Sequence, residues 1–159
     1  MEKRKKKKVI ALVAHDHRKK DMMEWVTYNW AELVYHNLMC TGTTGKLVQE
    51  ALYAKCQEND VIPPEIIRLK SGPLGGDQQL GAYISEGKVD MLIFFWDPMQ
   101  PQPHDVDVKA LLRISTLYNI PVATNRSTAD FIVSSNLFHQ NYVPLIKDYS
   151  SYILRDVDL

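Results

Sequence analysis

Five short apolar segments, each followed by a polar cluster and most by a helical pattern, constrain the fold of this chain more than any other feature. Continuous apolar runs of this length are typical of strands covered on both faces. Strand, loop and helix alternate without a repeat or a linker, which predicts one three-layer α/β/α domain around a doubly wound, mostly parallel, five-stranded sheet. The predicted strands are residues 9–14, 38–40, 66–69, 91–96 and 121–124.

Apolar residues at helical spacing predict helices between and after these strands. The first helix is predicted over residues 22–33, and Gly87 and Asn119 are expected to end two later helices. Residues 128–134 and 149–153 are predicted to be helical near the C-terminus. The pair Leu145-Ile146 is expected to add to an edge of the sheet.

The composition, with 45% hydrophobic and 24% charged residues, is ordinary for a globular protein. The longest apolar run, residues 91–96, is too short to cross a bilayer, so no membrane association is expected. No secretory signal is visible, and Cys40 and Cys56 lack metal-ligand spacing. A cytoplasmic protein with two reduced thiols is therefore predicted.

The formal net charge of zero hides an uneven distribution of charge along the chain. Every position from 3 to 8 is Lys or Arg, whereas residues 9–159 carry 13 basic and 18 acidic residues, a net charge of −5. Such an arm could contact nucleic acid or an anionic surface, but it has no aromatic residue for base stacking. We predict a flexible arm at 1–8, a single domain at 9–159 and no nucleic-acid partner.

The segment SGPLGGDQQ at residues 71–79 cannot continue a helix or a strand, because Gly and Pro interrupt both. Its free backbone N–H groups and the helix that follows favour an anion. Asp77 lies at the start of this helix, where an aspartate caps the helix, faces a ligand, or does both.

A second candidate anion site is the segment TGTTG at residues 41–45, which offers three hydroxyls, two glycines and a helix start. These groups suit a phosphate monoester. No Lys-Ser/Thr pair follows at the required place, so the segment is not a Walker sequence. Its alternative interpretation is a capped turn. Ser71-Gly72 would add a hydroxyl and an N–H group, and Lys19 or Arg18 a positive charge.

Histidines and carboxylates complete the set of candidate site residues. Acid–base catalysis and a metal site are both open to such a set. The pair His15/His17 lacks a third ligand at metal-site spacing, and no motif requires magnesium, so metal-free proton transfer is favoured. A phosphate site, a carboxylate base and a neutral histidine are what deprotonation next to a carbonyl needs. The candidates are His15, Asp16, Asp77, Asp97, His104 and Asp107.

The chain resembles the methylglyoxal synthase family through motifs that follow one another over residues 9–134. They are VAHDH at 13–17, TGTTG at 41–45, SGPLGGDQQ at 71–79, ISEGK at 84–88, FFWDP at 94–98, PHD at 103–105 with Asp107, PVATN at 121–125 and ADF at 129–131. The resemblance implies a carbon–oxygen lyase that converts dihydroxyacetone phosphate to methylglyoxal and inorganic phosphate without metal or cofactor. It also implies a homohexamer that phosphate inhibits.

The same resemblance implies a role for each site residue. Asp77 matches the catalytic base, and His104 matches the histidine that polarises the substrate carbonyl. Asp97 and Asp107 match carboxylates that order the site. The residues that match substrate- and phosphate-binding positions are His15, Lys19, Thr41, Gly42, Thr43, Thr44, Ser71, Gly72 and His104.

Two departures and one alternative accompany the resemblance. Residues 54–64 form a longer segment than expected, which predicts a longer surface loop. Asp156 stands where relatives carry a basic residue for communication between subunits, with Arg155 beside it, so the resemblance does not extend to phosphate cooperativity. The alternative is a non-catalytic sensing domain of the same fold, like the one at the end of carbamoyl phosphate synthetase. Such a domain would need the phosphate turn but not Asp77 together with His104.

Overall fold

The computed structural model describes residues 6–157 and shows one five-stranded sheet with helices on both faces. The strands are β1 (Val9–Ala14), β2 (Asn37–Thr41), β3 (Ile66–Leu69), β4 (Met91–Phe95) and β5 (Val122–Ala123). The helices are α1 (Lys19–Tyr28), α2 (Trp30–Leu33), α3 (Gly42–Glu58), α4 (Gly76–Ser85), α5 (Asp105–Leu117), α6 (Arg126–Ser134) and α7 (Ser150–Ile153). The strand order is β3-β2-β1-β4-β5 and every pairing is parallel, which confirms the predicted fold class.

Side chains that alternate along the strands build two separate cores. In β1, Ile10 and Leu12 face the layer formed by α1, α3 and α6, whereas Ala11 and Val13 face α4 and α5. All five residues of β4 are buried, because both of its faces are covered. The order of the strands reverses between β1 and β4. The carboxyl ends of these two strands therefore border the crevice where doubly wound sheets bind their ligands.

Two local predictions were wrong. The helix predicted over residues 22–33 is interrupted at Asn29, whose side-chain amide and backbone N–H both donate to the carbonyl of Trp25. This side chain competes with the regular helical pattern. Leu145-Ile146 forms no strand; the carbonyl of Leu145 accepts instead from the side chain of Asn119. Pro144, directly before this pair, has no N–H group to donate to a sheet.

The long segment at residues 54–64 extends a helix as well as a loop. Residues 54–58 form the last turn of α3, and the chain then continues without regular structure to β3. The predicted surface loop is therefore shorter than the inserted segment. Within residues 6–157, no helix is both long enough and apolar enough to cross a membrane.

Residues 1–5 of the predicted basic arm lie outside the described residues. Lys8, which the sequence assigned to that arm, is buried beside the first strand. Its backbone N–H donates to Nδ1 of His36 over 3.1 Å, and its Nζ donates to the carbonyl of Gln140 over 2.7 Å. Lys8 thus packs with the domain rather than with the arm.

Candidate active site

A cavity of about 280 Å³ opens at the carboxyl end of the sheet, beside β1, β2 and the segment that follows β3. Parallel strands bring residues from distant parts of the chain to this one edge. Eleven of the predicted site residues line the cavity: His15, Asp16, Lys19, Thr41, Gly42, Thr43, Thr44, Ser71, Gly72, Asp77 and His104. Asp97 and Asp107 do not line it.

The predicted loop at residues 41–45 is the beginning of a helix, because α3 starts at Gly42. Gly42 has a φ of +49°, and a Cβ there would lie 2.8 Å from Cα of Ser71. Only glycine accepts both the backbone conformation and the close approach. The N–H groups of the first turn of α3 have no partner within the helix, and the helix dipole adds positive potential. The cavity therefore borders a site suited to a phosphate group.

Thr44 fixes this helix to the central strand. Its hydroxyl donates to the carbonyl of Ala14 over 3.3 Å, and its side chain is buried. This hydroxyl is therefore already engaged with the end of β1, so an anion would meet the backbone N–H of Thr44 rather than its side chain. Thr43, by contrast, is exposed. Its hydroxyl remains a candidate donor to a bound phosphate.

Asp77 and His104 approach each other across the cavity. Oδ2 of Asp77 lies 3.8 Å from Nε2 of His104, too far for a direct hydrogen bond. A Cβ at Gly72 would lie 3.0 Å from that carboxylate oxygen and 3.1 Å from that nitrogen. Glycine at position 72 therefore leaves the space between the two groups open to a ligand.

The Asp77 carboxyl is buried on the first turn of α4, with only 4% of the residue exposed. Burial raises its pKa above the ordinary value, because removal from water disfavours the charged form. The charge of Asp107 adds to this increase in pKa, and His104 partly offsets it. A carboxylate with a raised pKa is a stronger base than an exposed one. This is the tuning expected of a group that removes a proton.

Several buried polar atoms at the cavity have no hydrogen-bond partner among residues 6–157. They are Nε2 of His15, Oδ2 of Asp77 and Nδ1 of His104; Nε of Arg18 is a further atom of this kind. Buried polar groups are normally paired, so unpaired atoms around a cavity indicate a place where a polar ligand binds.

His15 presents a hydrogen-bond donor to the cavity. Its Nδ1 accepts from the backbone N–H of Asp97 over 3.1 Å, which leaves the proton of a neutral ring on Nε2. Burial lowers the pKa of His15, and repulsion from His104 lowers it further. The ring is therefore neutral near pH 7. Its centroid lies 6.0 Å from that of His104, so both imidazoles reach the same cavity.

Asp97 is buried behind the cavity and fastens two segments of its wall. Its carboxylate accepts from the N–H of Met99 over 3.0 Å and lies 3.5 Å from Nδ1 of His17. Nη2 of Arg18 lies 3.9 Å from the same carboxylate. The short 3₁₀ turn after β1 is thereby held against the loop after β4. Asp97 thus acts on the site through its neighbours.

Asp107 lies on the first turn of α5, outside the cavity. Its Oδ1 accepts from Nε2 of Gln78, the residue after Asp77, over 2.7 Å. Lys19, in contrast, lines the cavity and forms an ion pair with Asp16 at its rim. The hydrogen bond from Lys19 lowers the pKa of Asp16. Lys19 is thus a cation placed beside the candidate phosphate site.

Sequence reasoning assigned no role to Gln102, which stands between Pro101 and Pro103 and lines the cavity. The two prolines restrict the backbone on both sides of Gln102, and its place two residues before His104 was the available signal. Across the part of the chain that the structure describes, no three His, Cys, Asp or Glu side chains form a group that could hold a metal ion.

A buried carboxylate faces a histidine beside a helix start, at the switch point of a doubly wound sheet. This arrangement is typical of α/β proteins that bind an anion, and the pair is suited to proton transfer. The family model described as MGS-like domain matches residues 21–124 of the chain. The fold and the geometry of the cavity agree with that match. The chain belongs to the methylglyoxal synthase family.

Individual relatives agree over nearly the whole chain. The chain is 57% identical to the methylglyoxal synthase of Maridesulfovibrio salexigens, covering 94% of this chain and 98% of the relative. It is 52% identical to the methylglyoxal synthase of Hahella chejuensis, in an alignment that covers 93% of this chain and 90% of the relative. The crystal structure of methylglyoxal synthase from Elizabethkingia anophelis NUHP1 is similar with a TM-score of 0.84 at 48% identity, covering 96% of this chain and 93% of the other.

Proposed function

We propose that this chain catalyses the methylglyoxal synthase reaction, in which a carbon–oxygen lyase converts dihydroxyacetone phosphate to methylglyoxal and inorganic phosphate. The observation that carries the proposal is the pair formed by Asp77 and His104, with 3.8 Å between Oδ2 and Nε2, in the cavity that the start of α3 borders. Membership of the family supports the same reaction.

The phosphate of the substrate binds at the start of α3. The backbone N–H groups of Thr43 and Thr44, the hydroxyls of Thr43 and Ser71, and the ammonium of Lys19 supply donors and positive charge. This binding holds the three-carbon unit between Asp77 and His104. Fixed geometry matters because a carboxylate, with a reference pKa of about 4, is a weak base toward a carbon acid.

Proton removal is the first chemical step. Asp77 takes a proton from the hydroxymethyl carbon next to the carbonyl, and His104 donates a hydrogen bond to the carbonyl oxygen as it gains negative charge. His15, whose Nε2 carries a proton and faces the same cavity, is a second donor to the substrate oxygens. The product of this step is an enediolate.

Expulsion of phosphate completes the reaction. The hydroxyl proton of the enediolate passes to the departing phosphate, a C=O bond forms at the carbon that carried the hydroxyl, the double bond shifts, and the C–O bond to phosphate breaks. The resulting enolate takes up on its methylene carbon the proton that Asp77 holds, which yields methylglyoxal and returns Asp77 to its ionised form. The donors at the start of α3 stabilise the charge that develops on the departing phosphate. Every step uses side chains of this chain, so the proposal includes no metal and no cofactor.

One assay tests the proposal. Purified protein is incubated with dihydroxyacetone phosphate in chelator-treated buffer, and any dicarbonyl product is trapped and quantified beside the released phosphate. We expect equal amounts of methylglyoxal and phosphate from the wild type. The Asp77→Asn variant should form no product while still binding inorganic phosphate. Absence of product with the wild type would favour a sensing domain instead, and turnover by Asp77→Asn would exclude Asp77 as the base.

We also propose the finer properties that the family resemblance implies: a homohexamer, inhibition by inorganic phosphate and a cytoplasmic location. Inhibition follows chemically, because the product phosphate competes for the donors that hold the substrate phosphate. Cys40 and Cys56 are both buried free thiols, which supports a reducing compartment.

A further inference from the structure

The two amides that follow the proposed base, Gln78 and Gln79, have no role in the reaction described above. Each side chain nevertheless makes one short hydrogen bond to a different part of the site. Gln79 reaches back to the end of the preceding strand, and Gln78 reaches across to α5. The two bonds anchor the first turn of α4, which carries Asp77, on two sides.

The bond of Gln79 is made to the peptide group of Lys70. The N–H of Lys70 donates to Oε1 of Gln79 over 2.9 Å, and the carbonyl of Lys70 accepts from the N–H of Gly42 over 3.1 Å. The same carbonyl lies against Gly76, where a Cβ would be only 1.9 Å away. One residue therefore contacts both the start of α3, where phosphate binds, and the start of α4, where Asp77 lies. Through Lys70, Gln79 fixes the distance between these two helix starts.

The bond of Gln78 is made to a carboxylate. Nε2 of Gln78 donates to Oδ1 of Asp107 over 2.7 Å. Asp107 lies one turn after His104, and its N–H donates to the carbonyl of His104 over 2.9 Å. This bond therefore joins the helix start that carries the proposed base to the helix start that carries the proposed electrophile.

We propose that Gln79 and Gln78 are positioning residues: Gln79 as an acceptor for Lys70 and Gln78 as a donor to Asp107 hold Asp77 between the phosphate site and His104. The inference rests on the proposed function for its kinetic test, but not for its binding test. The inference predicts opposite chemical requirements at two adjacent positions. The side chain at position 79 has to offer an acceptor to the N–H of Lys70, and the side chain at position 78 has to offer a donor to the carboxylate of Asp107.

Changing each amide to a carboxylate tests this difference with a matched pair. Gln79→Glu keeps an acceptor for Lys70 and adds one negative charge. Gln78→Glu adds the same charge at the next residue but places two carboxylates face to face. Gln79→Met keeps the length of the side chain and removes the acceptor. Gln57→Glu, on an exposed part of α3, controls for the added charge alone.

We expect kcat to fall about tenfold or more in Gln78→Glu and Gln79→Met, with KM for dihydroxyacetone phosphate changed by less than about threefold, because orientation rather than affinity is lost. Gln79→Glu should recover most of the activity that Gln79→Met loses. Gln57→Glu should match the wild type. Equal activities for Gln78→Glu and Gln79→Glu, or a Gln79→Glu variant weaker than Gln79→Met, would overturn the proposal.

Binding distinguishes this inference from the proposed function. The probes are inorganic phosphate, which reports on the phosphate site alone, and 2-phosphoglycolate, whose planar carboxylate resembles an enediolate joined to a phosphate. Calorimetry should show unchanged affinity for phosphate and about tenfold weaker affinity for 2-phosphoglycolate in Gln78→Glu and Gln79→Met. A protein without synthase activity that still shows this pattern would keep the positioning role and reject the function. Equal loss for both probes, or loss for neither, would reject the positioning role.

Discussion

Burial of the Asp77 carboxyl affects activity and stability in opposite directions. The folded protein raises the pKa of this group, so it binds the proton more tightly than the unfolded chain does. Between the ordinary and the raised pKa, the folded state therefore holds more protons, and the free energy of unfolding falls as pH rises. Above the raised pKa this loss of stability is complete. The ionised form that destabilises the fold is the form that the proposed reaction needs.

We expect Asp77→Asn to be inactive but more stable at neutral pH. The amide removes the buried charge, so its unfolding temperature at pH 7 should exceed that of the wild type by several degrees, a shift that about 1 kcal/mol produces in a domain of this size. The difference should shrink as pH falls from the raised pKa of Asp77 to the ordinary carboxyl value, because in this interval the folded protein takes up the proton before the unfolded chain does. Thermal unfolding at pH 7 and pH 4 measures it, with exposed Asp156→Asn as control. An unfolding temperature that is lower at pH 7 would contradict this account.

The pH dependence of catalysis should report the ionisation of the same group, the Asp77 carboxyl. The base is active only when ionised, so kcat/KM should decline on acidification as pH falls through the raised pKa of Asp77, above the range of an ordinary aspartate. Initial rates between pH 4 and pH 8 at low substrate concentration measure this limb. Full activity down to the ordinary pKa of a carboxyl group would contradict a buried base.

His104→Gln tests the second member of the pair. The amide keeps a donor of similar reach but cannot match the imidazole in stabilising the enediolate, so kcat should fall by about a hundredfold or more with a much smaller change in KM. Steady-state kinetics measures both constants, and His139→Gln, outside the cavity, should behave like the wild type. A variant in which only KM changes would assign His104 to binding rather than catalysis.

At the scale of elements, the sheet and three of its helices determine how the site is built. β1 and β2 end beside each other, and the start of α3 lies against Ser71 because Gly42 has no side chain. Asp77 follows on α4 and His104 caps the start of α5 from its backbone. Three helix starts thus converge on one cavity. Small backbone changes at these starts should affect ligand binding more than changes elsewhere.

Gly42→Ala should weaken both the fold and phosphate binding. The new Cβ would meet Ser71 at 2.8 Å in a left-handed backbone conformation. Gly87 offers a matched control, because its φ of +70° is also left-handed but no atom lies within 4 Å of a Cβ there. Gly87→Ala should cost about 1 kcal/mol from backbone strain, and Gly42→Ala clearly more. Denaturant unfolding and calorimetry with phosphate measure both effects; equal behaviour of the two variants would disprove the close-approach argument.

At the scale of the whole molecule, the C-terminal segment leaves large apolar side chains uncovered in the single chain. Leu145, Ile153 and Leu154 are 86%, 74% and 79% exposed. Ile153 and Leu154 are adjacent in the chain, and large apolar side chains exposed side by side are candidates for a protein–protein contact. Arg155, the next residue, makes its contacts within this same segment. Its guanidinium lies 3.6 Å from the centroid of the Tyr152 ring, and its Nη1 donates to the carbonyl of Tyr152.

Light scattering of the purified protein tests the proposed assembly. We expect six chain masses for the wild type and a smaller particle for Leu154→Glu, because a buried glutamate at a subunit contact would be unpaired. The matched change Ile62→Glu places the same charge on an exposed side chain in the loop before β3 and should leave the mass unchanged. A wild-type protein of one chain mass would refute the proposed hexamer.

The sequence by itself determined the layers of the fold and predicted which residues gather at one edge of the sheet. Short, mainly apolar runs identified all five strands, of which β1, β2 and β4 are buried on both faces, and glycine marked the left-handed positions Gly42 and Gly75. Polar residues after parallel strands must meet at one edge, and eleven predicted residues line one cavity there. Asp77 and His104 followed from the same reasoning.

Only the tertiary structure decided which groups touch the cavity and which act from behind it. Asp97 and Asp107 resemble catalytic carboxylates in the sequence, yet each is held by partners outside the cavity. The Lys70 peptide, which has no side-chain signal, connects two helix starts through Gly42 and Gln79. The reason is physical: a hydrogen bond depends on the position and direction of two groups in space. Residues distant in sequence acquire these only when the sheet and helices have packed.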